Sequence, residues 1–354
     1  MERLIMTMPI APYSQYSLGK LSTPILAESL AKKMRGKSCF AVNVLSSYQD
    51  RKIEDYKELL EKHNIMPDMF WIDKENIKYL LDKIYFLISK GFIYKTCKNI
   101  LFCDCKKVEI CSDYICSINM VDSCFFELDG KYYCKHCKNE CNLASEEVLV
   151  FNPNLLEKFQ LLFYPHFINR DIKTFEKTVR KNDIVISRLR NTGIHINYDN
   201  KIYNIDIDFL WEVYLSLFGN YDKIVMCSNH QLYQLYMVMM LEKCFDINSS
   251  TIGLATPYIN CGKNEIENIL KDRNLSLKLF LLYNLRWQKK ENIIDNGLLS
   301  YLTRMNVQKL YQLYEITMQE HIDEILLNNL ENVLLKDFNF QNANNILKRR
   351  RKND

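Results

Sequence analysis

A strand, a turn with one glycine and a helix follow one another near the start of the sequence. The apolar run LIMTMPI (4–10) predicts a buried strand, and the turn APYSQYSLGK (11–20) leads into a helix. Thr23-Pro24 is typical of a helix N-cap followed by a first-turn proline. Many α/β folds hold a phosphate at such a junction, because free N–H groups at a helix N-terminus attract anions. The turn contains neither a P-loop nor G-x-G-x-x-G, so it belongs to neither of those classes.

The alternation of strand and helix continues along the chain. Further buried strands are predicted at 39–47, 182–188, 221–228 and 250–256. Helices are predicted at 51–62, 75–90, 155–180 and 230–244, with only helical periodicity after about residue 264. The sequence therefore predicts an α/β fold with a Rossmann-like (HUP-type) parallel sheet, split by a cysteine-rich insert and followed by a helical C-terminal region.

Four segments are expected from this organisation. They are the first half of a nucleotide-binding domain, an insert with a zinc knuckle, the second half of the domain and a helical C-terminal region, at 1–100, 101–175, 176–265 and 266–354. We expect the segments around 11–20, 183–197 and 250–267 to meet at the carboxyl edge of one parallel sheet, where they would form a shared crevice.

The insert is rich in cysteine, with eight of the 13 cysteines between residues 103 and 141. Cys134-Lys-His-Cys137 has the spacing with which two thiolates on a tight turn bind one zinc ion. Four thiolates would stabilise an insert with little core of its own and leave no open coordination position, so we predict structural zinc without catalysis. The alternative is a group of buried free thiols. The matching pair is Cys103 and Cys105, or two of Cys111, Cys116 and Cys124.

Composition excludes several classes of protein. In 354 residues the net charge is +4, with 48% hydrophobic and 25% charged residues, which is ordinary for a globular chain and too weakly basic to mark a nucleic-acid binder. No apolar run approaches the roughly 18 residues that would span a membrane. The N-terminus lacks the pattern of a secretory signal. We therefore expect a cytoplasmic protein, whose reduced thiols are available to metal.

Three motifs, taken in order, resemble the catalytic region of methionyl-tRNA synthetases, which are class I aminoacyl-tRNA synthetases. Ser17-Leu18-Gly19-Lys20 is similar to the family's His-(Ile/Leu)-Gly-His turn. ISRLRNTGIHIN (186–197) is similar to its Ile-Ser-Arg segment, which runs on to Gly-Ile-Pro. In IGLATPYINCGKNEIE, Lys263 stands where the family's Lys-Met-Ser-Lys-Ser loop begins. The resemblance covers residues 4–270.

The resemblance implies roles for individual residues. It implies that Ser17, Lys20 and Lys263 act in catalysis. It implies nucleotide binding by Leu18, Gly19, Asn229 and Gly253. It implies an amino-acid pocket formed by Pro9, Ile10, Ala11, Tyr13, Asp208, His230 and Gln234.

The sequence also departs from the family pattern. Both turn histidines are replaced, by the uncharged Ser17 and by Lys20, a cation on a longer stem. The second loop lysine corresponds to Ile266, with Glu265 and Glu267 beside it, and two carboxylates would repel a triphosphate. The pocket identities do not match a methionine site.

Two functions follow from the resemblance and its departures. The first is an enzyme that activates an amino acid with ATP and magnesium, and passes the aminoacyl group to a tRNA, a peptide or a small-molecule acceptor in a biosynthetic pathway. The second is a binding protein of the same fold that holds an amino acid, a nucleotide or a tRNA end without forming an adenylate. The least favoured hypothesis is that the chain is an ordinary methionyl-tRNA synthetase.

Overall fold

The structure is a computed structural model. The residues that it describes are 2–12, 18–45, 53–105, 109–111, 125–156, 162–189, 193–218, 221–247, 250–261, 276–294, 306–308, 333, 342 and 345–346. The strands are β1 (Glu2–Thr7), β2 (Lys37–Val42), β3 (Met69–Ile72), β4 (Ile93–Phe102), β5 (Glu109–Cys111), β6 (Phe125–Leu128), β7 (Lys131–Cys134), β8 (Asn142–Phe151), β9 (Leu162–Tyr164), β10 (Ile184–Val185), β11 (Ser187–Arg188), β12 (Ile194–Tyr198), β13 (Lys201–Ile205), β14 (Tyr221–Ser228), β15 (Thr251–Thr256), β16 (Tyr258–Cys261) and β17 (Glu291–Ile294). The α-helices are α1 (Leu18–Met34), α2 (Ile53–Lys62), α3 (Ile77–Ser89), α4 (Asn169–Val179), α5 (Ile207–Ser216), α6 (Leu232–Cys244) and α7 (Leu277–Asn284).

A six-stranded sheet of order β3-β2-β1-β14-β15-β9 forms the centre of the fold. Each pair of neighbouring strands in it runs parallel. Helices pack on both faces of the sheet. On one face, Phe280 of α7 and side chains of α1 share a core with Phe40 of β2. On the other face, Leu80 of α3 and Met237 of α6 belong to a second core. Such burial on both sides explains why the strands are continuous apolar runs. The predicted Rossmann-like parallel sheet is confirmed.

The insert contains a second, antiparallel sheet of order β10-β8-β4-β5, and the hairpin β6–β7. β4 and β8 pair along their full lengths, from Ile93 opposite Phe151 to Phe102 opposite Asn142. This sheet begins before residue 101 and takes in β10 beyond residue 175, so it crosses both expected bounds of the insert. The division of the chain into four segments stays a prediction.

The expected start of the first helix is wrong. α1 begins at Leu18, and Pro24 lies inside it, where it cannot donate a hydrogen bond to the carbonyl one turn earlier. Thr23 is not the N-cap, because it lies inside α1, and its hydroxyl oxygen is 3.0 Å from that of Thr256 at the end of β15. Burial of apolar side chains such as Ile25 offsets the missing backbone bond.

Two expectations about the middle of the chain are also wrong. Among the described residues of 155–180, the α-helix is confined to α4, and β9 before it pairs with β15 at the edge of the central sheet. The strand expected at 182–188 is split into β10 and β11, which pair antiparallel with β8 and β13 outside the central sheet. An apolar run shows that a strand is buried, but it does not identify the strand's partner.

The C-terminal region contains a strand that periodicity did not predict. β17 pairs parallel with β16 beyond the end of β15, while α7 supplies the helix expected there. Among the described residues, no helix is both long enough and apolar enough to cross a membrane.

Candidate functional site

The carboxyl edge of the central sheet is organised by backbone hydrogen bonds after β1. Met8 donates its N–H to the carbonyl of Met226 at 2.8 Å, and Ile10 donates to Ala41 at 3.0 Å. The N–H of Asn43 in turn donates to the carbonyl of Ile10 at 3.0 Å. Residues 8–11 are thereby held between the ends of β2 and β14. Three predicted pocket residues share this segment: Pro9 is buried, and Ile10 and Ala11 are half-buried.

Asp73 fixes the neighbouring part of this edge, and sequence reasoning missed it. Its buried carboxylate accepts hydrogen bonds from the N–H groups of Val44 (2.9 Å) and Lys74 (2.7 Å), and from the indole N–H of Trp211 (3.1 Å). Burial raises the pKa of Asp73, and these hydrogen bonds oppose the rise. Through these hydrogen bonds, Asp73, which directly follows β3, connects the segment after β2 with α5. Asp73 follows a short, partly polar strand, so nothing in the sequence marks it.

The start of α1 lies at the same edge, because Thr23 in α1 contacts Thr256 at the end of β15. The hydroxyl of Ser22 donates to the carbonyl of Gly19 at 2.7 Å. No described atom lies within 4 Å of the point where a Cβ on Gly19 would stand, and Lys20 is exposed. Leu18 is the first described residue of α1, and N–H groups in the first turn of a helix point away from it, towards a possible ligand. This arrangement suits an anion beside Gly19 and Lys20.

Several predicted site residues lie wholly or partly outside the described residues. Tyr13, Ser17 and Lys263 fall in segments that the structure does not describe, as do Ile266 and the glutamates beside it. For Leu18 and His230 the backbone is described, at the start of α1 and just after β14. Their predicted roles stay predictions.

Asn229 follows β14 at the carboxyl edge and faces the segment before β17. Its side-chain N–H lies 3.4 Å from the carbonyl of Lys290, which also accepts the N–H of Tyr258 at 2.9 Å. The Oδ1 atom of Asn229 is buried and accepts no hydrogen bond from the described part of the chain. A free acceptor at this point suits a ligand that presents an N–H or O–H group.

Gly253 lies within β15, surrounded by core side chains. The space that its Cβ would fill is taken by the ring of Phe163 on β9. The close approach of β9 to β15 therefore accounts for the glycine. Its role in nucleotide binding stays a prediction.

Replacing Gly253 with alanine is expected to lower the free energy of unfolding by about 1–3 kcal/mol. The new Cβ would stand 2.4 Å from Cδ1 of Phe163 and 2.9 Å from Cδ2 of Leu235. Chemical denaturation measures the change. Gly19→Ala is the control, and its stability should stay within about 0.5 kcal/mol of the wild type. An unchanged midpoint for Gly253→Ala would contradict the packing described here.

A second group of predicted residues lines a pocket between the insert and α5. Asp208, in the first turn of α5, and Gln234, near the start of α6, both contribute to its wall. The segment 183–197 reaches this pocket through Arg188, which forms an ion pair with the buried Asp206. Segment 183–197 lies in the neighbouring antiparallel sheets, yet it faces the start of α6, just after β14, across this pocket, so the expected meeting of the three segments at one sheet edge stays a prediction.

The pocket also contains a carboxyl group that sequence reasoning missed. Glu212 on α5 is 4% exposed and lines the pocket wall. Burial raises its pKa well above the ordinary value, Asp208 and Asp206 raise it further, and Arg188 opposes them. The spacing of Asp208 and Glu212, four residues apart on one helix, was the only signal available in the sequence.

Four cysteines of the insert meet at one point. The sulfurs of Cys103 and Cys105, after β4, and of Cys134 and Cys137, at the end of β7, lie within 4.8 Å of one another. The Cys103 and Cys137 sulfurs are 3.2 Å apart, and those of Cys105 and Cys134 are 3.7 Å apart. The predicted set is thus brought together. Cys111 is not part of it, and Cys116 and Cys124 lie outside the described residues.

The environment of these thiols suits a thiolate-bound metal. The N–H of His136 lies 3.3 Å from the Cys134 sulfur. Burial raises the pKa of the Cys134 thiol, but the backbone N–H groups of Cys137 and His136, followed by the neighbouring thiols, bring it to about 7. Four thiols on two turns, with N–H groups donating to sulfur, fit tetrahedral zinc.

Comparisons with known proteins agree with this architecture. No protein-family model matches the sequence, and no curated protein matches it. Among solved structures, Mycobacterium tuberculosis methionyl-tRNA synthetase in complex with methionyl-adenylate superimposes with a TM-score of 0.64 at 13% identity, over 99% of this chain and 83% of that one. The apo form of the same enzyme gives 0.64 at 11% identity, over 99% and 80%. At this identity the likeness establishes the fold alone. Over nearly its whole length, the chain has the fold of the catalytic region of methionyl-tRNA synthetase, a class I aminoacyl-tRNA synthetase.

Proposed function

We propose that the chain activates an amino acid with ATP to form an aminoacyl adenylate. A carboxylate oxygen of the amino acid attacks the α-phosphorus, a new P–O bond forms, and the bond to the β-phosphate breaks so that pyrophosphate leaves. The observation that carries this proposal is the start of α1 at the carboxyl edge of the sheet, where no described atom fills the space beside Gly19 and the neighbouring Lys20 is exposed. A solved structure with the same fold holds methionyl-adenylate.

The phosphate end of this site would rely on N–H groups and cations. Negative charge grows on pyrophosphate as it departs, and donors that are already oriented stabilise that charge. The N–H groups at the start of α1 and the ammonium of Lys20 would supply this stabilisation, together with Ser17 and Lys263. Magnesium would arrive with ATP as part of the substrate.

The other parts of the site would hold adenosine and the amino acid. Gly19 leaves room for the adenine ring against the backbone, and the free Oδ1 of Asn229 accepts an N–H or O–H group of the nucleoside. Residues 9–11, Asp208 and Gln234 would contact the amino acid. The acceptor of the aminoacyl group would be a tRNA, a peptide or a small molecule. Zinc would hold the insert through its four thiolates in a reducing compartment such as the cytoplasm.

Amino-acid-dependent exchange of labelled pyrophosphate into ATP tests the proposal. We expect exchange with at least one amino acid when a panel that includes basic and non-proteinogenic members is tried. If no member supports exchange, adenylation is wrong. Saturable binding of an amino acid without any heat from ATP would then favour a binding protein of the same fold.

Replacing Lys20 with alanine is expected to lower kcat/KM for pyrophosphate exchange about 10- to 100-fold. A charge-assisted contact to phosphate contributes about 1.5–3 kcal/mol, and about 1.4 kcal/mol corresponds to tenfold. Steady-state exchange kinetics measure the effect. The matched control is Lys62→Ala, because Lys62 is an exposed lysine in the last turn of α2, away from the carboxyl edge. Equal exchange rates for Lys20→Ala and the control would show that Lys20 does not take part in phosphate binding.

A further inference from the structure

The pocket beside α5 has a charge pattern that an ordinary helix face would avoid. Asp208 and Glu212 lie one turn apart on α5, and carboxylates at this spacing repel each other. Glu212 is 4% exposed, and none of the described residues forms a hydrogen bond or an ion pair with its carboxyl group. A buried carboxyl without a partner destabilises the fold, because it loses its hydrogen bonds to water and forms none with the protein.

The cation in the pocket lining is Arg188, and its described contacts are with groups other than Glu212. Arg188 pairs with Asp206 and donates to the backbone carbonyl of Glu109 at 3.3 Å. The side chain of Glu109 accepts the N–H of Leu189 at 3.0 Å. One guanidinium therefore faces four carboxyl groups in the pocket lining. These contacts of Arg188 leave the Glu212 carboxyl without a hydrogen-bond donor of its own among the described residues.

Much of the remaining lining is apolar. Ile110 and Phe125 come from the insert, Ile186 lies between β10 and β11, and Phe209 lies on α5. Such walls accept a chain of methylene groups, while Glu212 and Asp208 present acceptors to a donor at one end of the chain. The pocket lining thus combines apolar side chains with carboxyl groups.

We propose that this pocket binds a small molecule that carries a protonated amine on an aliphatic chain, with the amine against Glu212 and Asp208. The guest would supply the hydrogen-bond donors and the positive charge that the described residues do not provide to Glu212. If the proposed function holds, the guest is the side chain of a basic amino-acid substrate such as a diamino acid. That second step depends on the proposed function, whereas amine binding itself does not.

Titration calorimetry of the full chain with L-lysine, cadaverine and L-norleucine tests the proposal. Norleucine has an aliphatic side chain like that of lysine but lacks the amine. We expect lysine or cadaverine to bind at least tenfold more tightly than norleucine. Equal affinities for the three, or tighter binding of norleucine, would overturn the proposal.

Glu212→Gln separates a binding role from a structural one. The amide keeps the shape and removes the charge, so amine affinity should fall at least tenfold while the melting temperature stays the same or rises. Asp208→Asn, at a half-buried position, should also weaken amine binding. The exposed Glu127→Gln in β6 is the control and should change neither quantity. Unchanged amine affinity in both pocket variants would overturn the proposal.

The outcomes also separate this proposal from the proposed function. Amine binding that depends on Glu212, without any pyrophosphate exchange, supports the pocket and contradicts adenylation. Exchange with an apolar amino acid alone, without amine binding, supports adenylation and overturns the pocket assignment.

Discussion

Replacing Cys134 with serine is expected to release zinc and to unfold the end of the insert. Cys134 is fully buried, and its sulfur lies among the other three thiols of the site. Serine lacks the thiolate that zinc requires, and three ligands would bind the ion far more weakly. Because metal binding in such small units is coupled to folding, we expect a loss of about 3 kcal/mol or more. Metal analysis should find about one zinc per chain in the wild type and almost none in the variant.

The matched control is Cys97→Ser. Cys97 lies in β4 of the same insert, but its side chain is exposed and it is not one of the four clustered thiols. This variant should keep its zinc and its melting temperature. Wild-type protein purified without chelator that contains no metal would contradict the zinc assignment.

Replacing Lys223 with methionine is expected to lower the free energy of unfolding by about 3–5 kcal/mol. The Lys223 ammonium on β14 lies 2.6 Å from a carboxylate oxygen of Glu242 on α6, and both side chains are buried. Burial lowers the pKa of Lys223, and Glu242 opposes that change. Removing the lysine leaves Glu242 buried, and the hydroxyl of Thr251 at 2.8 Å is then its remaining hydrogen-bond donor among the described residues. Denaturant unfolding followed by circular dichroism measures the loss.

The double variant Lys223→Met/Glu242→Leu provides the control. Replacing both partners removes the unpaired charge, so stability should return to within about 2 kcal/mol of the wild type. A double variant as unstable as the single one would mean that the loss comes from packing and not from the uncompensated carboxylate.

The central sheet could be predicted because its strands are nearly continuous apolar runs. In β1, β2, β14 and β15 most side chains are buried on both faces. Such burial requires apolar residues at consecutive positions, which can be recognised in the sequence. β9 could not be predicted, because three residues give no periodic pattern and only its pairing with β15 defines it. The run at 182–188 was misassigned because burial alone does not distinguish a parallel strand from an antiparallel one.

The candidate site was predictable only where chemistry fixes the spacing. The C-x-x-C of Cys134 and Cys137 pointed to a cluster, and of the matching pairs left open by the sequence the structure brings Cys103 and Cys105 to it. Glu212 and Asp73 look like solvated acidic residues in the sequence, because burial by distant elements is not encoded locally. Tertiary packing therefore decides which carboxylates can bind a ligand.

A crystal structure of the chain with ATP and Mg²⁺ tests the central claim most directly. We predict density for the phosphates at the start of α1, within hydrogen-bonding distance of the N–H groups of Gly19 and Lys20, with the nucleoside extending towards Asn229. ATP bound elsewhere, or no ATP at a saturating concentration, would contradict the account.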